Sequence, residues 1–176
     1  MDASSKNQIF KEWVNRYYEY GFRVAYKIIG NEEDSRDIIQ DAFLKVWIKF
    51  EDYNEKNKFS TWFFTIVSNL CYDRLRRIKR ASSYSDSLAI EVKPENESIE
   101  NTMNLKEFKD TLIRLSDNLS PKQKIVFVLR DMEELEIAEV CEITGMDPEK
   151  VKANLYYARK QIRANLISFK KLEERI

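Results

Sequence analysis

Apolar residues recur at three- and four-residue steps along most of the chain, which is the spacing of a helix face that packs against a core. In the first 80 residues this pattern predicts three helices, which cover residues 9–29, about 34–50 and about 60–80. Gly30 is placed to end the first helix, and Ser60 or Thr61 to cap the third. Residues 51–59 are polar without an apolar period and predict a loop.

The apolar period stops after the third helix. Residues 82–104 are rich in Ser, Asn and Glu, contain Pro94 and show no sustained period. Such a stretch has little apolar surface to bury, so it predicts a flexible linker. The helical period returns at about Leu105.

The C-terminal part carries local signals for helix ends. Ser120 is a predicted N-cap, Pro121 suits the first helical position, and Gln123 completes a capping box. This helix is predicted to run to about residue 131.

Two further helices are predicted near residues 135–144 and 148–167. Between them, Gly145 suits a left-handed turn, Asp147 an N-cap and Pro148 the first residue of the last helix. Two helices joined by a tight turn with a glycine are the pattern of a helix-turn-helix.

Composition supports an all-α protein, because Gly and Pro together make only 6 of 176 residues and β folds need more turn residues. The predicted architecture is two small helical domains, residues 1–81 and 105–176, joined by the flexible acidic linker 82–104. The chain has no His, which excludes Ser-His-Asp catalysis and His-bearing metal sites. Two cysteines, no signal-peptide pattern and no membrane-length apolar run predict a cytoplasmic protein.

Charge is balanced overall but segregated along the chain. Residues 73–80 and 148–163 each carry five basic side chains and one acidic one. Residues 131–142 carry six acidic side chains and no basic one, and residues 31–41 and 81–104 are also acidic. The two basic stretches indicate either two DNA-facing surfaces or ordinary solvated helix faces.

The second helix has one predicted core face and one unusual outer face. Its core face consists of Ile38, Ile39, Ala42, Phe43 and Val46. Its outer face consists of Asp37, Gln40, Asp41, Leu44 and Ile48. Aliphatic residues in a polar stripe favour a protein partner, although single exposed aliphatics are also normal.

The third helix points Phe63, Val67, Leu70 and Cys71 toward a predicted core. Its other face consists of Trp62, Thr65, Asn69, Tyr72, Asp73 and Arg76, with Arg77 close by. Rings that stack on bases, together with Asn and Arg, suit single-stranded or melting DNA. The alternative is structural: Trp62 and Tyr72 pack against the first helix, and Arg76 pairs with Asp73.

The last helix has a predicted buried stripe of Val151, Leu155, Ala158 and Ile162. Facing away or on the flanks are Glu149, Lys150, Lys152, Ala153, Tyr156, Tyr157, Arg159, Lys160 and Arg163. A basic face on the second helix of a helix-turn-helix favours entry into a DNA major groove, and the alternative is a solvated bundle face.

Three segments, in order, resemble bacterial RNA polymerase sigma factors. Residues 37–47, DIIQDAFLKVW, resemble the helix by which these factors hold core polymerase. Residues 59–69, FSTWFFTIVSN, and 73–77, DRLRR, are similar to their promoter-melting segment. Residues 119–159, beginning LSPKQ, are similar to their fourth domain. The short chain without a third domain resembles the extracytoplasmic-function (ECF) group.

The resemblance implies roles for these surfaces. Asp37, Gln40, Asp41 and Leu44 would contact the polymerase clamp. The minus-ten element of the promoter would be bound by Trp62, Asn69, Asp73, Arg76 and Arg77, with loop 51–59. The minus-thirty-five element would be bound by Glu149, Lys150, Lys152, Ala153, Tyr156, Arg159 and Lys160. An anti-sigma protein, often membrane-anchored in this family, is the expected regulator.

The sequence departs from the family in two places. Ala153 and Asn154 stand where Ser-Arg is common, and Tyr157 stands where a base is frequent. Residues 133–139 are more acidic than usual and lack the usual Gly, so the first helix of the motif is expected to start late.

The leading hypothesis is therefore a sigma factor without catalysis, metal, cofactor or small-molecule substrate, whose partners are core polymerase, promoter DNA and an anti-sigma factor. The competing hypothesis is a helix-turn-helix regulator of duplex operator DNA, in which residues 1–80 form a sensor or dimerisation bundle. An enzyme is disfavoured, because the sequence shows no Gly-rich phosphate loop and no metal-ligand cluster.

Overall fold

The computed structural model describes residues 3–54, 56, 58–85 and 105–173, and this part of the chain contains helices and no strand. The all-α prediction is confirmed. The N-terminal helices are α1 (Ala3–Ile29), α2 (Glu32–Ile48) and α3 (Phe59–Ser85), with a short 3-10 turn at Phe50–Asp52. The C-terminal helices are α4 (Leu105–Leu115), α5 (Pro121–Phe127), α6 (Ile137–Thr144) and α7 (Pro148–Glu173), and a π turn at Val128–Met132 extends α5.

Three predicted helix ends in the N-terminal part need correction. Helix α1 begins at Ala3, six residues before its predicted start at residue 9. Helix α3 begins at Phe59, ahead of both proposed caps, Ser60 and Thr61. Phe59 is buried there and stacks on Trp13 of α1 with ring centroids 4.0 Å apart, so a distant aromatic contact outweighs the local cap preference. Helix α3 also continues to Ser85, four residues into the predicted linker 82–104, and residues 86–104 lie outside the described part of the chain.

The predicted turn chemistry of the C-terminal part is confirmed. Ser120 Oγ accepts from the Gln123 amide, and the Gln123 side chain accepts from the Ser120 amide, at 3.3 and 3.0 Å. Gly145 has a left-handed φ of 68°. Asp147 Oδ1 accepts from the Lys150 amide at 2.8 Å and so caps α7. Helix α6 starts at Ile137, which is the late start that the acidic residues 133–139 predicted.

The first three helices pack around an aromatic core. Phe63 of α3 is fully buried between Tyr17 of α1 and Phe43 of α2, with ring centroids 6.0 and 4.8 Å away. The helices cross closely at Gly21, where an added Cβ would lie 2.8 Å from the Phe63 ring. This core holds the outer faces of α2 and α3 in fixed orientations.

The two helical domains, α1–α3 and α4–α7, also pack against each other. Helix α3 contacts α5 and α6, and α1 contacts the π turn. Buried residues of both domains, including Val24, Phe64, Val126 and Val140, belong to one continuous apolar cluster. The helix periodicity did not reveal this contact, because it assigns faces to single helices and not partners to faces.

Candidate nucleic-acid and partner interfaces

The outer face of α2 is a solvent-exposed stripe. All five predicted core residues of this helix are buried, and Asp37, Gln40 and Asp41 are exposed on the opposite side. Leu44 and Ile48, one turn apart, are 57% and 69% exposed. The structure therefore brings the predicted partner residues together on one accessible face that combines carboxylates and aliphatic side chains.

The start of α2 is tied to α3 by charge. Asn31 Oδ1 accepts from the Asp34 amide at 2.9 Å, which caps the helix. Asp34 also pairs with Arg74 of α3, and this hydrogen bond raises the pKa of the Arg74 guanidinium. Three acidic residues in the first turn, Glu32, Glu33 and Asp34, face the positive end of the helix dipole. The Asp34–Arg74 pair therefore joins the start of α2 to α3, the two helices that carry the candidate interfaces.

The outer face of α3 is polar and basic. Asn69, Asp73, Arg76 and Arg77 are exposed, as predicted, and the Arg76 guanidinium lies 5.6 Å from the centre of the Tyr72 ring. Such an arrangement offers amide and guanidinium donors to a base edge and positive charge to phosphate.

Trp62 has a different position from its predicted neighbours. It is half-buried and packs on Tyr53 and Phe59, with ring centroids 5.1 and 5.9 Å away. Tyr53 in turn meets Trp13 of α1 edge-on at 5.3 Å. Trp62 therefore braces the segment before α3.

The helix-turn-helix presents α7 to solvent. The predicted stripe of Val151, Leu155, Ala158 and Ile162 is buried against the rest of the C-terminal domain. The predicted outward residues are all exposed: Glu149, Lys150, Lys152, Ala153, Tyr156, Arg159 and Lys160. Tyr156 and Tyr157 are 62% and 56% exposed, with ring centroids 5.4 Å apart. The geometry is that of a recognition helix with a free outer face.

Several cations on α7 already have acidic partners. Lys150 Nζ lies 2.7 Å from Asp147, and Lys152 Nζ lies 3.1 Å from Glu149. The hydrogen bond from Lys150 lowers the pKa of the Asp147 carboxyl, which stays ionised. These pairs are solvent-exposed and weak, so a phosphate can replace the carboxylate at little cost.

Arg159 is held more firmly than the lysines. Its Nε and Nη2 donate to the two oxygens of Asp131 at 2.8 and 2.6 Å, a bidentate contact between α7 and the π turn. The bond to Asp131 raises the pKa of the Arg159 guanidinium. Sequence analysis missed this pair, although the acidic run that begins at residue 131 was a signal for it.

Asn154 is also committed within its own helix. Its side-chain amide donates to the Lys150 carbonyl at 2.8 Å, so this amide is oriented along the helix. The preceding residue, Ala153, offers only a methyl group to a base. This portion of α7 is less polar toward a base than the Ser-Arg pair that is common in the resembled family.

In the described residues, the structure contains no group of three or more Cys, Asp, Glu or His side chains arranged to hold a metal ion. None of the helices in this part of the chain is long and apolar enough to cross a bilayer.

Two family models match the chain. The Sigma-70 region 2 model matches residues 13–81, which span α1 to α3 up to Ala81. The Sigma-70 region 4 model matches residues 109–162, which include the helix-turn-helix. The matches fall in the order that the motifs indicated.

Curated relatives match most of the chain. The RNA polymerase sigma factor SigV of Bacillus subtilis (strain 168) is 31% identical over 148 residues, which cover 82% of this chain and 83% of SigV. The ECF RNA polymerase sigma factor SigW of the same strain is 27% identical over 170 residues, which cover 89% of this chain and 88% of SigW.

Solved structures share the fold. The sigma factor RpoE from Bartonella quintana, in complex with the anti-sigma factor NepR, superposes with a TM-score of 0.66 at 22% identity and covers 90% of this chain and 97% of its own. CnrH, in complex with the cytosolic domain of CnrY, gives a TM-score of 0.64 at 22% identity and covers 92% of this chain and 90% of its own.

Proposed function

Since this chain belongs to the ECF RNA polymerase sigma factors, we propose that it binds core polymerase through the outer face of α2 and directs it to promoters through the outer faces of α3 and α7. The observation that supports the proposal is that three separate outer faces, made mostly of exposed polar and charged side chains, follow the family's order along one chain. The proposed domains are residues 1–81 and 105–176, with 82–104 as their connection.

Each face has a proposed partner. Asp37, Gln40, Asp41 and Leu44 contact the polymerase, because their stripe combines charge with accessible aliphatic surface. The minus-ten element binds along α3 to Trp62, Asn69, Asp73, Arg76 and Arg77. The minus-thirty-five element binds along α7 to Glu149, Lys150, Lys152, Ala153, Tyr156, Arg159 and Lys160.

The proposed chemistry is recognition without catalysis by this chain. The proposed location is the cytoplasm, where core polymerase and promoter DNA meet. An anti-sigma factor is a further proposed partner, in keeping with the solved sigma factor RpoE, which was captured with the anti-sigma factor NepR. The operator-binding regulator is less well supported, because the Sigma-70 region 2 model matches the part of the chain that it would use as a sensor.

Transcription in vitro tests the proposal. Core polymerase with this protein and fragmented genomic DNA should start transcripts at a defined set of sites, and core alone should not. Asp41→Lys should weaken core capture at least tenfold, about 1.4 kcal/mol, because it reverses a charge in the α2 stripe. Glu12→Lys, on an exposed position of α1, is the matched control and should bind core as the wild type does.

A second variant separates the two interfaces of this domain. Asn69→Ala should bind core normally but reduce promoter opening, measured as permanganate reactivity of unpaired thymines. Equal loss of both activities would indicate a folding defect, and normal activity in both Asp41→Lys and Asn69→Ala would show that the surfaces are wrongly assigned.

A further inference from the structure

The outer face of α7 carries an apolar patch among its cations. Tyr156 and Tyr157 are 62% and 56% exposed, so most of each ring lies in solvent. The two rings meet edge-on, with centroids 5.4 Å apart and planes at 75°. Ala153 is also exposed and lies three and four residues before them, on the adjoining turn of the same face. We name Ala153, Tyr156 and Tyr157 the α7 apolar patch.

The core of the C-terminal domain does not account for this patch. The buried stripe of α7 lies on the opposite side of the helix and consists of Val151, Leu155, Ala158 and Ile162. At about 100° per residue, Ala153 lies near the middle of the outer face, and the two tyrosines lie on either side of it. Three adjoining apolar side chains that stay in water indicate a contact that forms on binding.

The charges around the patch indicate the kind of partner. Residues 148–163 carry five basic side chains and one acidic one. Lys150 and Lys152 precede the two rings, Arg159 and Lys160 follow them, and all four are exposed. This surface favours a negatively charged partner over an ordinary protein face. Duplex DNA fits it, because phosphates line both edges of the major groove and the bases form its floor.

The amide that follows Ala153 is already engaged. Asn154 donates to the Lys150 carbonyl at 2.8 Å, and its side-chain nitrogen lies 4.0 Å from Met146 Sδ. An asparagine reads adenine by placing its donor and acceptor together across one base edge, whereas this hydrogen bond holds the amide along the helix. The apolar patch is therefore the surface that this part of α7 offers to a base.

We propose that the α7 apolar patch reads thymine methyl groups in the major groove, so that the minus-thirty-five element contains A·T pairs where it faces Tyr156 and Tyr157. This inference deepens the proposed function and rests on it. The thymine methyl is the apolar group that an unmodified base pair presents in the major groove. Contact with a ring removes that methyl from water, whereas the polar edge of a G·C pair would lose water there without gaining a hydrogen bond.

The tyrosine hydroxyls offer a different mode of recognition. A hydroxyl bonds a phosphate oxygen or a polar base edge, and neither bond depends on a methyl group. The rings, in contrast, share their apolar character with Ala153 beside them. Removal of the thymine methyl and removal of the hydroxyls therefore distinguish the two modes.

Uracil substitution tests the patch, since deoxyuridine differs from thymidine only in lacking the methyl group. The probe is a promoter duplex mapped in the transcription experiment and bound by holoenzyme, with each thymine of the minus-thirty-five element replaced in turn. At one or more positions the wild type should bind the uracil duplex about fourfold more weakly, equivalent to about 0.8 kcal/mol for burial of one methyl-sized group. Low salt keeps weak complexes measurable, because phosphate contacts strengthen there.

Variants assign this preference to the rings. Tyr156→Ser with Tyr157→Ser should bind the thymine and uracil duplexes equally. Tyr156→Phe with Tyr157→Phe keeps both rings and should keep the fourfold preference. Arg159→Ala, at a proposed phosphate contact, should weaken binding to both duplexes and keep their ratio. Ile167→Ser is the matched control, because Ile167 is an exposed apolar residue further along α7, and it should change neither affinity.

Three results would overturn the inference while transcription by the wild type still supported the proposed function. The first is equal binding of the thymine and uracil duplexes by the wild type. The second is a preference that survives in the serine variant, and the third is a preference lost in the phenylalanine variant, which would assign recognition to the hydroxyls. Holoenzyme that starts no specific transcripts would refute the proposed function and this inference with it.

Discussion

At the scale of single residues, the outward side chains of α7 lie where the helix period predicted, but their partners could not be predicted. A period of 3.6 residues fixes the direction of a side chain and says nothing of residues that are distant in sequence. Arg159 illustrates this limit, because its bidentate partner Asp131 lies 28 residues away. Lys150, in contrast, pairs with Asp147, the N-cap of the same helix three residues earlier, so this contact is local in sequence.

Substitution of Lys150 and substitution of Arg159 should therefore have different effects on DNA binding. Lys150 lies in the first turn of α7, the part of a recognition helix that meets base edges, whereas Arg159 lies further along, where phosphate contact is expected. Lys150→Ala should cost about 1–3 kcal/mol at one promoter position and relax specificity there. Arg159→Ala should weaken binding to all sequences alike and reduce the log–log salt slope by about 0.9. Binding of promoter libraries by holoenzyme at several salt concentrations measures both.

An unchanged sequence preference in Lys150→Ala would move base readout to Tyr157 or other residues of α7. Arg114→Ala serves as a control for loss of one positive charge, because Arg114 is an exposed residue of α4 outside the proposed DNA faces, and it should change neither the sequence preference nor the salt slope.

The raised pKa of Tyr20 leads to a second prediction at the scale of single residues. In the difference titration between the wild type and Tyr20→Phe, followed by phenolate absorbance, one tyrosine should ionise near pH 12, because burial and Glu133 disfavour the phenolate. The folded pKa lies above the ordinary value of about 10. The neutral hydroxyl therefore contributes its full stabilisation below pH 10 and loses it as pH rises through 12. A difference titration centred at pH 10 would contradict the burial of the Tyr20 hydroxyl beside Glu133.

At the scale of helices, the ends with local chemical signals were predicted and those set by distant contacts were not. The roles of Ser120, Gly145 and Asp147 could be predicted from the sequence, because caps and left-handed turns depend on neighbouring residues. The start of α3 depends on Phe59 packing against Trp13, which no local signal reports. The π turn at Val128–Met132 was likewise hidden, since an apolar run fits an α-helix equally well.

Helix crossing supplies the prediction at this scale. Gly21→Ala should lower the free energy of unfolding by about 1 kcal/mol, since overpacking costs about 1–3 kcal/mol and the better helix propensity of Ala returns at most about 1. The new methyl group would lie 2.8 Å from the buried Phe63 ring and 3.1 Å from Ile39. Urea denaturation measures the change.

A double-mutant cycle identifies the cause. Gly21→Ala combined with Phe63→Leu should cost less than the sum of the single variants by at least about 0.5 kcal/mol, because the smaller side chain makes room. Additive costs would place the strain elsewhere.

At the scale of the whole molecule, the sequence predicted two domains and their order, and the structure adds that they share one apolar cluster. The shared cluster lies on α1 and α3, which bury residues toward both α2 and the C-terminal domain. A single helix can display two apolar faces without any signal of what covers the second one. The candidate binding faces were predictable for the opposite reason: exposed, chemically distinctive stripes stand out against a helix's core period.

The shared cluster predicts cooperative unfolding. All three tryptophans, Trp13, Trp47 and Trp62, lie in the N-terminal domain, so their fluorescence reports that domain alone. Circular dichroism reports the helices of both domains. The two urea transitions should coincide in the wild type, as expected for a single cooperative unit. Separate midpoints would show that the domains unfold independently and that their contact contributes little to stability.

At the π turn, the number of residues matters to the structure as well as their identity. Its ring is closed by a bond five residues back, so it contains one residue more than the corresponding α-helical ring. Each residue of an α-helix rotates the chain by about 100°, so one inserted residue redirects everything that follows Met132. A one-residue deletion in this turn is therefore expected to turn Glu133 away from Lys27 of α1, although every other side chain would keep its identity. A comparison of side chains column by column would not show this loss, because it would register only as a gap.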